Sequence, residues 1–387
     1  MKRLLIAFAI SRSVVACGGD VRVMPPNRAG DARGTSSDGG GNSALDAAID
    51  ADAAACGASS KSEAEEAGTG CVARVAADGD YTCAIRTDAT LWCWGRNRVG
   101  ELGLGRAAGY RAFPAQVAPL GAEVADVALH GEYVPVGPYA AGTCAVKRDG
   151  SVWCWGDSLP DALNVPIPVQ VTSLGTDVAE IEPMLLGFCA RKRDGAVWCT
   201  PSFGCATRVP EGGAAMAPAP VTALGSDVVE LSSMCARKAD GSLWCGLECR
   251  LPVEMMALGR RVTHVDVDAE NNRMCATTDD GSLWCWSAGR EPTEMSECVT
   301  GVAVGGQICA RMTDDTVHCW DAMTDSSPST VVALGSSTRE LAAGRGHVCA
   351  LKSDKSLWCW GDNAYGQLGD GTTEFRTLPV KVAIPCP

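Results

Sequence analysis

The stretch AAGRGHVCALKSDKSLWCWGDNAYGQLGDG at residues 342–371 contains a unit that recurs along the chain. Two cysteines stand with nine residues between them, an alanine follows the first, and an aspartate marks the midpoint. Seven such pairs occur: Cys83 and Cys93, Cys144 and Cys154, Cys189 and Cys199, Cys235 and Cys245, Cys275 and Cys285, Cys309 and Cys319, Cys349 and Cys359. Recurrence of this kind is the signature of a repeat architecture.

The aspartate at the centre of each pair predicts a β-hairpin with a three-residue loop. Aspartate favours turns, and glycine follows it in four of the seven pairs, as a left-handed third loop position prefers. Folding about this centre places the two cysteines opposite each other, with Cα atoms roughly 4.5–5.5 Å apart, within reach of a disulfide. We therefore predict seven cross-strand disulfides. Pairs of buried free thiols are the alternative.

The repeat has the length of a propeller blade. Successive first cysteines are 61, 45, 46, 40, 34 and 40 residues apart, as four short strands require. Apolar stretches precede the hairpin at 75–77 and 341–343, and others follow it at 114–117, 169–171 and 379–382. All eleven tryptophans adjoin a second cysteine, so we expect them to pack between blades rather than form a sugar-stacking surface. The expected fold is an all-β, seven-bladed β-propeller over residues 71–387.

The GDN and GQLG elements within 342–371 closely resemble the regulator of chromosome condensation repeat family, and GELGLG at 100–105 is similar to it. The resemblance covers essentially residues 72–383, although the middle blades lack both elements, and it implies a seven-bladed propeller. It also implies two alternative activities. Exported bacterial relatives are binding modules, one of which inhibits β-lactamases, whereas the eukaryotic family exchanges nucleotide on a small GTPase and docks on chromatin.

The N-terminus, MKRLLIAFAISRSVVACGGD, resembles a bacterial lipoprotein signal. We expect residues 1–16 to be a signal peptide and Cys17 to be lipidated. Cleaved secretion without lipid, and no export, are the alternatives. The apolar segment is too short to span a bilayer, so membrane contact would be through the lipid anchor only. Twenty-one cysteines without a Cys-x-x-Cys motif agree with an oxidising compartment. We expect an exported lipoprotein anchored at the cell envelope or surface.

Residues 17–70 are expected to form a disordered tether. Residues 18–70 contain ten glycines, twelve alanines and six serines with few large apolar side chains, so they cannot bury enough surface to offset chain entropy. A small helical domain at 44–55 is the alternative.

Six further cysteines remain beyond Cys17 and the seven pairs: Cys56, Cys71, Cys205, Cys249, Cys298 and Cys386. Cys71 and Cys386 flank the propeller, and a closed ring brings its ends together, so we expect a closure disulfide between them. Cys205 and Cys249 follow consecutive blades and are a further possible pair.

No catalytic, metal or cofactor site is recognised in the sequence. Gly156-Asp157-Ser158-Leu159 spells a serine hydrolase motif, but other repeats hold Arg96-Asn97 and Asp362-Asn363 in the same slot. Residues 277–284 resemble a structural Asp-box turn. The four histidines, His130, His264, His318 and His347, are scattered over different blades. We expect no metal, no cofactor and no enzyme. A propeller lyase or hydrolase, which would need convergent carboxylates or a nucleophile–base pair, is a further alternative.

Charge and aromatic content guide the functional hypothesis. Thirty-three Lys and Arg against 46 acids give a net charge of −13, which opposes binding of nucleic acid. We expect a monomeric binding module for an extracytoplasmic protein or glycan. Residues 106–140, which the repeat intervals indicate as the longest insertion, carry a candidate patch of residue types enriched at protein-binding hot spots: Tyr110, Arg111, Phe113, Tyr133 and Tyr139. An insertion whose aromatic side chains merely cover the first blade is the alternative.

Overall fold

The computed structural model describes residues 70–107, 109–132, 140–157, 165–184, 187–200, 218–247, 252–255, 258–268, 271–287, 289–321 and 328–386. These residues form seven antiparallel sheets of four strands each, and every sheet consists of four consecutive strands. The all-β, seven-bladed β-propeller expected from the repeat is thereby confirmed. The signal peptide, Cys17 and the tether up to residue 69 lie outside the described residues.

The first three blades have the following strands in chain order. Blade 1 contains β1 Val72–Asp78, β2 Tyr81–Arg86, β3 Leu91–Arg96 and β4 Tyr110–Gln116. Blade 2 contains β5 Val124–Glu132, β6 Ala140–Lys147, β7 Val152–Gly156 and β8 Val165–Gln170. Blade 3 contains β9 Val178–Met184, β10 Gly187–Lys192, β11 Val197–Cys199 and β12 Ala219–Pro220.

The remaining four blades repeat this order. Blade 4 contains β13 Val228–Ser232, β14 Cys235–Lys238, β15 Leu243–Cys245 and β16 Val253–Glu254. Blade 5 contains β17 Val262–Asp268, β18 Arg273–Thr278, β19 Leu283–Ser287 and β20 Thr293–Ser296. Blade 6 contains β21 Val299–Val304, β22 Ile308–Met312, β23 Val317–Trp320 and β24 Ser329–Thr330. Blade 7 contains β25 Thr338–Ala343, β26 His347–Lys352, β27 Leu357–Gly361 and β28 Arg376–Lys381. Short 3-10 helices follow the fourth strand at Ala118–Leu120, Thr172–Leu174, Thr222–Leu224 and Val332–Leu334.

The central hairpin of every blade pairs its two cysteines directly across the strands, as in Cys83 opposite Cys93. All seven pairs are disulfides, with Cα atoms 4.1 Å apart. This separation is shorter than the 4.5–5.5 Å expected for facing residues. In blade 1 the Arg86 amide donates to the Thr90 carbonyl. Alternate pairs counted from there place the cysteines at a non-hydrogen-bonded site, where the strands approach most closely.

The hairpin turns follow the predicted geometry. The residue after each central aspartate has a positive φ in all seven blades: Ala89, Gly150, Gly195, Gly241, Gly281, Asp315 and Lys355. In blade 2, Asp149 Oδ1 accepts hydrogen bonds from the amide and hydroxyl of Ser151, and the Ser151 hydroxyl accepts one from Trp153 Nε1. Lys147 lies over the ring of Trp153 at 4.8 Å. The same contacts recur around Asp88 and Asp240.

Apolar cores lie between adjacent blades. Between blades 7 and 1, Val72, Val75 and Trp94 pack with Leu357 and Leu368. Trp94, Trp155 and Trp320 are among the largest fully buried side chains. The tryptophans therefore pack between blades, as their recurrence beside the second cysteine predicts.

The ends of the chain meet at the junction of blades 7 and 1. The Gly70 amide donates to the Asp354 carbonyl at 3.0 Å, and the Val72 amide donates to the Lys355 carbonyl at 3.1 Å. Cys71 and Cys386 form a disulfide with Cα atoms 5.6 Å apart. Among the described residues no sheet contains strands from both ends of the chain, so the ring closes by packing, by these hydrogen bonds between blades and by the disulfide.

Two other observations bear on the sequence predictions. Cys298 is buried and disulfide-bonded, and its partner lies outside the described residues, as do Cys56, Cys205 and Cys249. In the part of the chain that the structure describes, no helix has the length and apolar character needed to cross a bilayer.

Candidate binding surface

The propeller has two different faces. The turn face carries the hairpin turns at residues such as Asp88 and Asp354, and Gly70 reaches the described fold there. The loop face carries the connections between third and fourth strands, which include residues 97–109 in blade 1 and 362–375 in blade 7. Binding residues of repeat proteins concentrate in such loops because loops tolerate variation.

Two of these connections join neighbouring blades. The carbonyl of Gln367 in blade 7 accepts hydrogen bonds from Trp94 Nε1 and Thr82 Oγ1 of blade 1, both at 2.9 Å. The carbonyl of Glu101 in blade 1 accepts one from Trp155 Nε1 of blade 2 at 2.8 Å. The GQLG and GELGLG elements thus fix the contacts from blade 7 to blade 1 and from blade 1 to blade 2.

Corresponding contacts are not found among the described residues of blades 5 and 6. In blades 5 and 6 the equivalent tryptophans, Trp286 and Trp320, are buried, and their ring N–H groups have no hydrogen-bond partner among the described residues. This matches the absence of GQLG elements from the middle of the sequence. Within the described residues, loop hydrogen bonds to a neighbouring blade's tryptophan are thus found from blade 7 to blade 1 and from blade 1 to blade 2.

A buried ion triad holds the blade 1 loop in place. Arg96 lies 2.9 Å from Asp80 and 3.2 Å from Glu101, and all three side chains are at most 6% exposed. Burial raises the pKa of Asp80, against the opposing charge of Arg96. Glu101 Oε2 also accepts a hydrogen bond from the Val99 amide. Because the charged groups of Arg96, Asp80 and Glu101 bond to one another and to the loop backbone, they fix the position of the loop rather than face a ligand.

Exposed apolar side chains are concentrated in the same sector. Nine large apolar side chains are exposed in the described structure, and seven of them belong to blades 7, 1 and 2: Tyr110, Phe113, Ile167, Val169, Tyr365, Phe375 and Leu378. Tyr110 is 52% exposed, Phe113 60%, Tyr365 40% and Phe375 64%. Concentrations of exposed apolar surface mark interaction sites.

The loop of blade 7 lies directly on the outer strand of blade 1. The Gly371 amide donates to the Ala112 carbonyl at 2.9 Å. The Phe113 ring covers Gly371 so closely that a Cβ there would lie 2.2 Å from Phe113 Cζ. A Cβ on Gly366, next to Tyr365, would likewise lie 2.4 Å from Ala112 Cα. Side chains from residues about 250 positions apart in sequence therefore meet in one surface.

We call this surface the rim patch. It consists of Arg106, Tyr110, Arg111 and Phe113 from blade 1 with Tyr365 and Phe375 from blade 7. Three of its members, Tyr110, Arg111 and Phe113, belong to the patch that the sequence predicts. Tyr133 and Tyr139 lie outside the described residues.

The rim patch differs from the sequence-based hypothesis in two ways. Residues 106–140 do not form an insertion throughout, because they include β4, a 3-10 helix at Ala118–Leu120 and β5. The long interval to the next cysteine arises from a long loop at 97–109 and long strands in the first hairpin of blade 2. Tyr365 and Phe375 were missed, although their place in and beside the GQLG element was an available signal.

The first strands of all seven blades line a central cavity of about 290 Å³. A β-bulge lies at the second residue of each first strand and redirects the third residue. The third positions are Arg74, Asp126, Glu180, Glu230, His264, Gly301 and Glu340. Sequence reasoning missed this ring of charges, although the recurring Val-x-charge pattern could have revealed it.

Several of the charges around the cavity are held in ion pairs. Arg74 bonds to Asp126 at 2.5 Å, Glu180 bonds to Arg191 at 2.7 Å, and Glu230 bonds to His264. Burial, followed by the charges of neighbouring acids, raises the pKa of Glu182 well above its ordinary value. The cavity therefore holds structural ion pairs together with buried acids whose pKa is raised by burial.

No catalytic constellation is found among the described residues of the hydrolase-like and Asp-box-like motifs. Burial raises the pKa of Asp157, and Ser158 of the hydrolase-like motif lies outside the described residues. Residues 277–284 form the hairpin turn of blade 5, where Thr278 donates to Asp280. Within the described ranges no group of three or more potential ligands could hold a metal. His347 begins β26 and is buried.

Comparison with known proteins agrees with this architecture. The family model for the "Regulator of chromosome condensation (RCC1) repeat" matches residues 72–101 and 339–367, and a second model of the same description matches residues 354–385. The E3 ubiquitin-protein ligase HERC2 of Homo sapiens and that of Mus musculus are each 39% identical over 87 residues, which is 22% of this chain. That stretch spans only 2% of the length of those relatives.

Solved structures are similar over most of the propeller. Prp20p of Saccharomyces cerevisiae, described with its binding to Gsp1p and histones, has a TM-score of 0.60 and 16% identity, covering 81% of this chain and 87% of that one. Yeast RCC1 (Prp20) bound to Kap60 has a TM-score of 0.59 and 15% identity, covering 84% and 89%. At this level of identity the similarity shows the fold.

Proposed function

From a seven-bladed propeller that carries regulator of chromosome condensation repeats in its first and last blades, we propose an exported, non-catalytic binding module. It holds an extracytoplasmic protein on the rim patch. The observation that carries the proposal is the concentration of exposed aromatic and arginine side chains on blades 7 and 1. Tyr and Arg supply much of the binding energy at protein interfaces.

The rim patch rests on a rigid support, which favours binding. The blade 7 loop, which carries Tyr365 and Phe375, is fixed by the hydrogen bond between Gln367 and Trp94. The blade 1 loop is fixed by the bond between Arg96 and Glu101. A surface that is ordered before binding loses less conformational entropy when a partner docks. The yeast neighbours are described with protein partners, which agrees with a protein ligand for this propeller.

Export is supported by the redox chemistry of the fold. Eight disulfides join described cysteines, and such density belongs to oxidising compartments. The lipoprotein-like N-terminus gives a route out of the cytoplasm, and we propose that Cys17 anchors the chain.

A glycan is the competing ligand. Sugar binding commonly uses open tryptophan faces, but every tryptophan of this chain is buried or half-buried. Trp153, Trp244 and Trp358 are further held by hydrogen bonds to a serine two residues earlier. The rim patch offers tyrosine and phenylalanine with arginine instead, which favours a protein partner.

The proposal is tested by site-specific crosslinking in cells. A photoreactive phenylalanine analogue at Phe375 of the full chain should capture one defined partner, whereas the same analogue at Val253 in blade 4, which is also exposed, should not. Tyr110→Ala with Phe113→Ala should reduce capture at least about tenfold. Equal capture from both positions, or capture that survives the double substitution, would refute a rim-patch binding site.

Export and anchoring are tested by intact mass. The chain recovered from the envelope should begin at Cys17 with a lipid mass and should gain mass on reduction by two protons for each disulfide. Cys17→Ser should retain residues 1–16 or release the protein from the membrane. A full-length, cytosolic chain with free thiols would contradict the proposal.

A further inference from the structure

We propose that the rim patch recognises an acidic segment of its partner that also carries apolar side chains. This inference rests on the proposed function and specifies the chemistry of the ligand. The first observation is a local reversal of charge. The whole chain has a net charge of −13, yet the exposed charged residues within the described part of 97–116 are all arginines: Arg98, Arg106 and Arg111.

The acids near this surface are balanced within the protein only in blade 1. Glu101, the sole acid among residues 97–116, is fully buried and bonded to Arg96. In the blade 7 loop, Asp370 lies 2.9 Å and Glu374 3.2 Å from Arg376. Arg376 cannot offset both acids, and Glu374 is exposed, so the excess positive charge of the rim patch is confined to its blade 1 residues.

The outer strand of blade 1 carries both aromatic and arginine side chains. Tyr110, Arg111 and Phe113 belong to β4, and all three are exposed. A guanidinium group presents a planar set of donors that matches a carboxylate, and it is less strongly hydrated than an ammonium group. Carboxylates flanked by apolar side chains would thus satisfy the arginines while covering Tyr110 and Phe113.

The sheet edge itself disfavours a partner that simply adds a strand. Pro114 interrupts β4, Pro166 and Pro168 interrupt β8, and Pro379 interrupts β28. Proline cannot donate a ladder hydrogen bond, so these edges cannot pair continuously with another chain. Recognition at the rim patch is consequently expected through side chains, which makes charge and apolar content decisive.

An anionic membrane is less suited to this surface than an acidic protein segment. The blade 7 part of the rim patch carries the exposed Glu374 beside Phe375, which a uniformly anionic surface would repel. The net negative charge of the whole chain also opposes approach to a uniformly anionic surface. A short acidic segment, by contrast, can place its carboxylates on the blade 1 arginines without facing Glu374.

The test uses the full oxidised chain and immobilised synthetic peptides of equal length, in which acidic and apolar content vary independently. Binding should rise with acidic content when apolar residues are present and should weaken as salt is added. Arg106→Glu with Arg111→Glu should weaken binding of acidic peptides at least about tenfold. The matched control is Arg148→Glu with Arg290→Glu, which changes the same charge at exposed sites in blades 2 and 5 and should leave binding unchanged.

The outcomes separate this inference from the proposed function. If Tyr110→Ala abolishes binding but acidic, neutral and basic peptides bind equally, the binding site stands and the inference is wrong. If neither the aromatic nor the arginine variants change binding, both are wrong. If heparin or anionic lipid vesicles compete as well as acidic peptides at matched charge, the surface is a general polyanion site and the inference is overturned.

Discussion

At the scale of single residues, His347 links the first and last blades through a neutral imidazole. The Thr82 hydroxyl donates to the Gln367 carbonyl, so the hydrogen bond between Thr82 and His347 Nε2 must be donated by the imidazole. His347 Nδ1 is buried and has no partner in the described structure. Burial lowers the pKa of His347 to about 4, although Asp362 opposes this effect.

This depressed pKa predicts loss of stability in acid. The unfolded chain takes up a proton near pH 6.5 and the folded one only near pH 4, so the unfolding free energy should fall across this interval. His347 alone accounts for roughly 3 kcal/mol. His347→Gln should flatten this slope in urea unfolding measured at several pH values. His318→Gln retains His347 and should keep the parental slope; equal slopes in all three proteins would contradict the assignment.

The raised pKa of His264 predicts a loss of stability as pH rises, opposite to the effect of His347. Burial disfavours its charged form, but the hydrogen bond and charge of Glu230 outweigh burial and raise the pKa of His264. Its stabilising charge is therefore complete below the unfolded pKa of about 6.5 and is lost as pH rises through the higher folded value. His264→Gln should remove this alkaline loss from the same series of unfolding curves. A variant that still loses stability as steeply would show that the pair does not titrate in this range.

At the scale of elements, the hairpin turn offers a test in both directions. Ala89 and Gly150 occupy the same turn position with φ of 63° and 81°. Ala89→Gly should stabilise blade 1 by about 0.5–1 kcal/mol because glycine adopts this conformation without strain. Gly150→Ala should destabilise by more than about 1 kcal/mol, since its Cβ would also lie 2.4 Å from the Thr176 carbonyl. Calorimetry of both variants measures the effects; shifts of equal sign would exclude a conformational cause.

The hairpins could be predicted because their information is local. A cysteine, a central aspartate and a second cysteine lie within eleven residues of sequence, and the register follows from the turn. The bulges that redirect Arg74 and Asp126 into the centre depend on packing among all seven first strands. The third residues of the first strands recur in the sequence, but nothing in the sequence around each one indicates that together they line the centre of the ring.

At the scale of the whole molecule, the rim patch could be predicted only in part. Tyr110, Arg111 and Phe113 stand together in sequence and were identified. Tyr365 and Phe375 join them only because the ring closes and places the blade 7 loop on Ala112. Such long-range proximity follows from the number of blades and the packing of the two ends, which composition and spacing indicate only coarsely.

The closure disulfide therefore determines more than the stability of one blade. Loop entropy increases with the length of chain that a disulfide encloses. For a separation of 315 residues, Cys71–Cys386 is worth about 5–6 kcal/mol, whereas a hairpin pair with a separation of 10 is worth about 3 kcal/mol or less. Cys386 is exposed, while Cys349 and Cys359 are fully buried, so mild reductant should open the ring closure first.

We expect Cys71→Ala with Cys386→Ala to loosen the junction of blades 7 and 1 while the other blades stay folded. Hydrogen exchange should accelerate in β1 and β25, and less in β13, because the hydrogen bonds from Gly70 and Val72 to blade 7 lose their covalent support. Binding at the rim patch should weaken in parallel, since its residues belong to blades 7 and 1. The control, Cys235→Ala with Cys245→Ala, removes the hairpin disulfide of blade 4. It should accelerate hydrogen exchange in blade 4 instead. Uniform acceleration around the ring in both variants would mean that the propeller unfolds as one unit and that the closure disulfide has no local role.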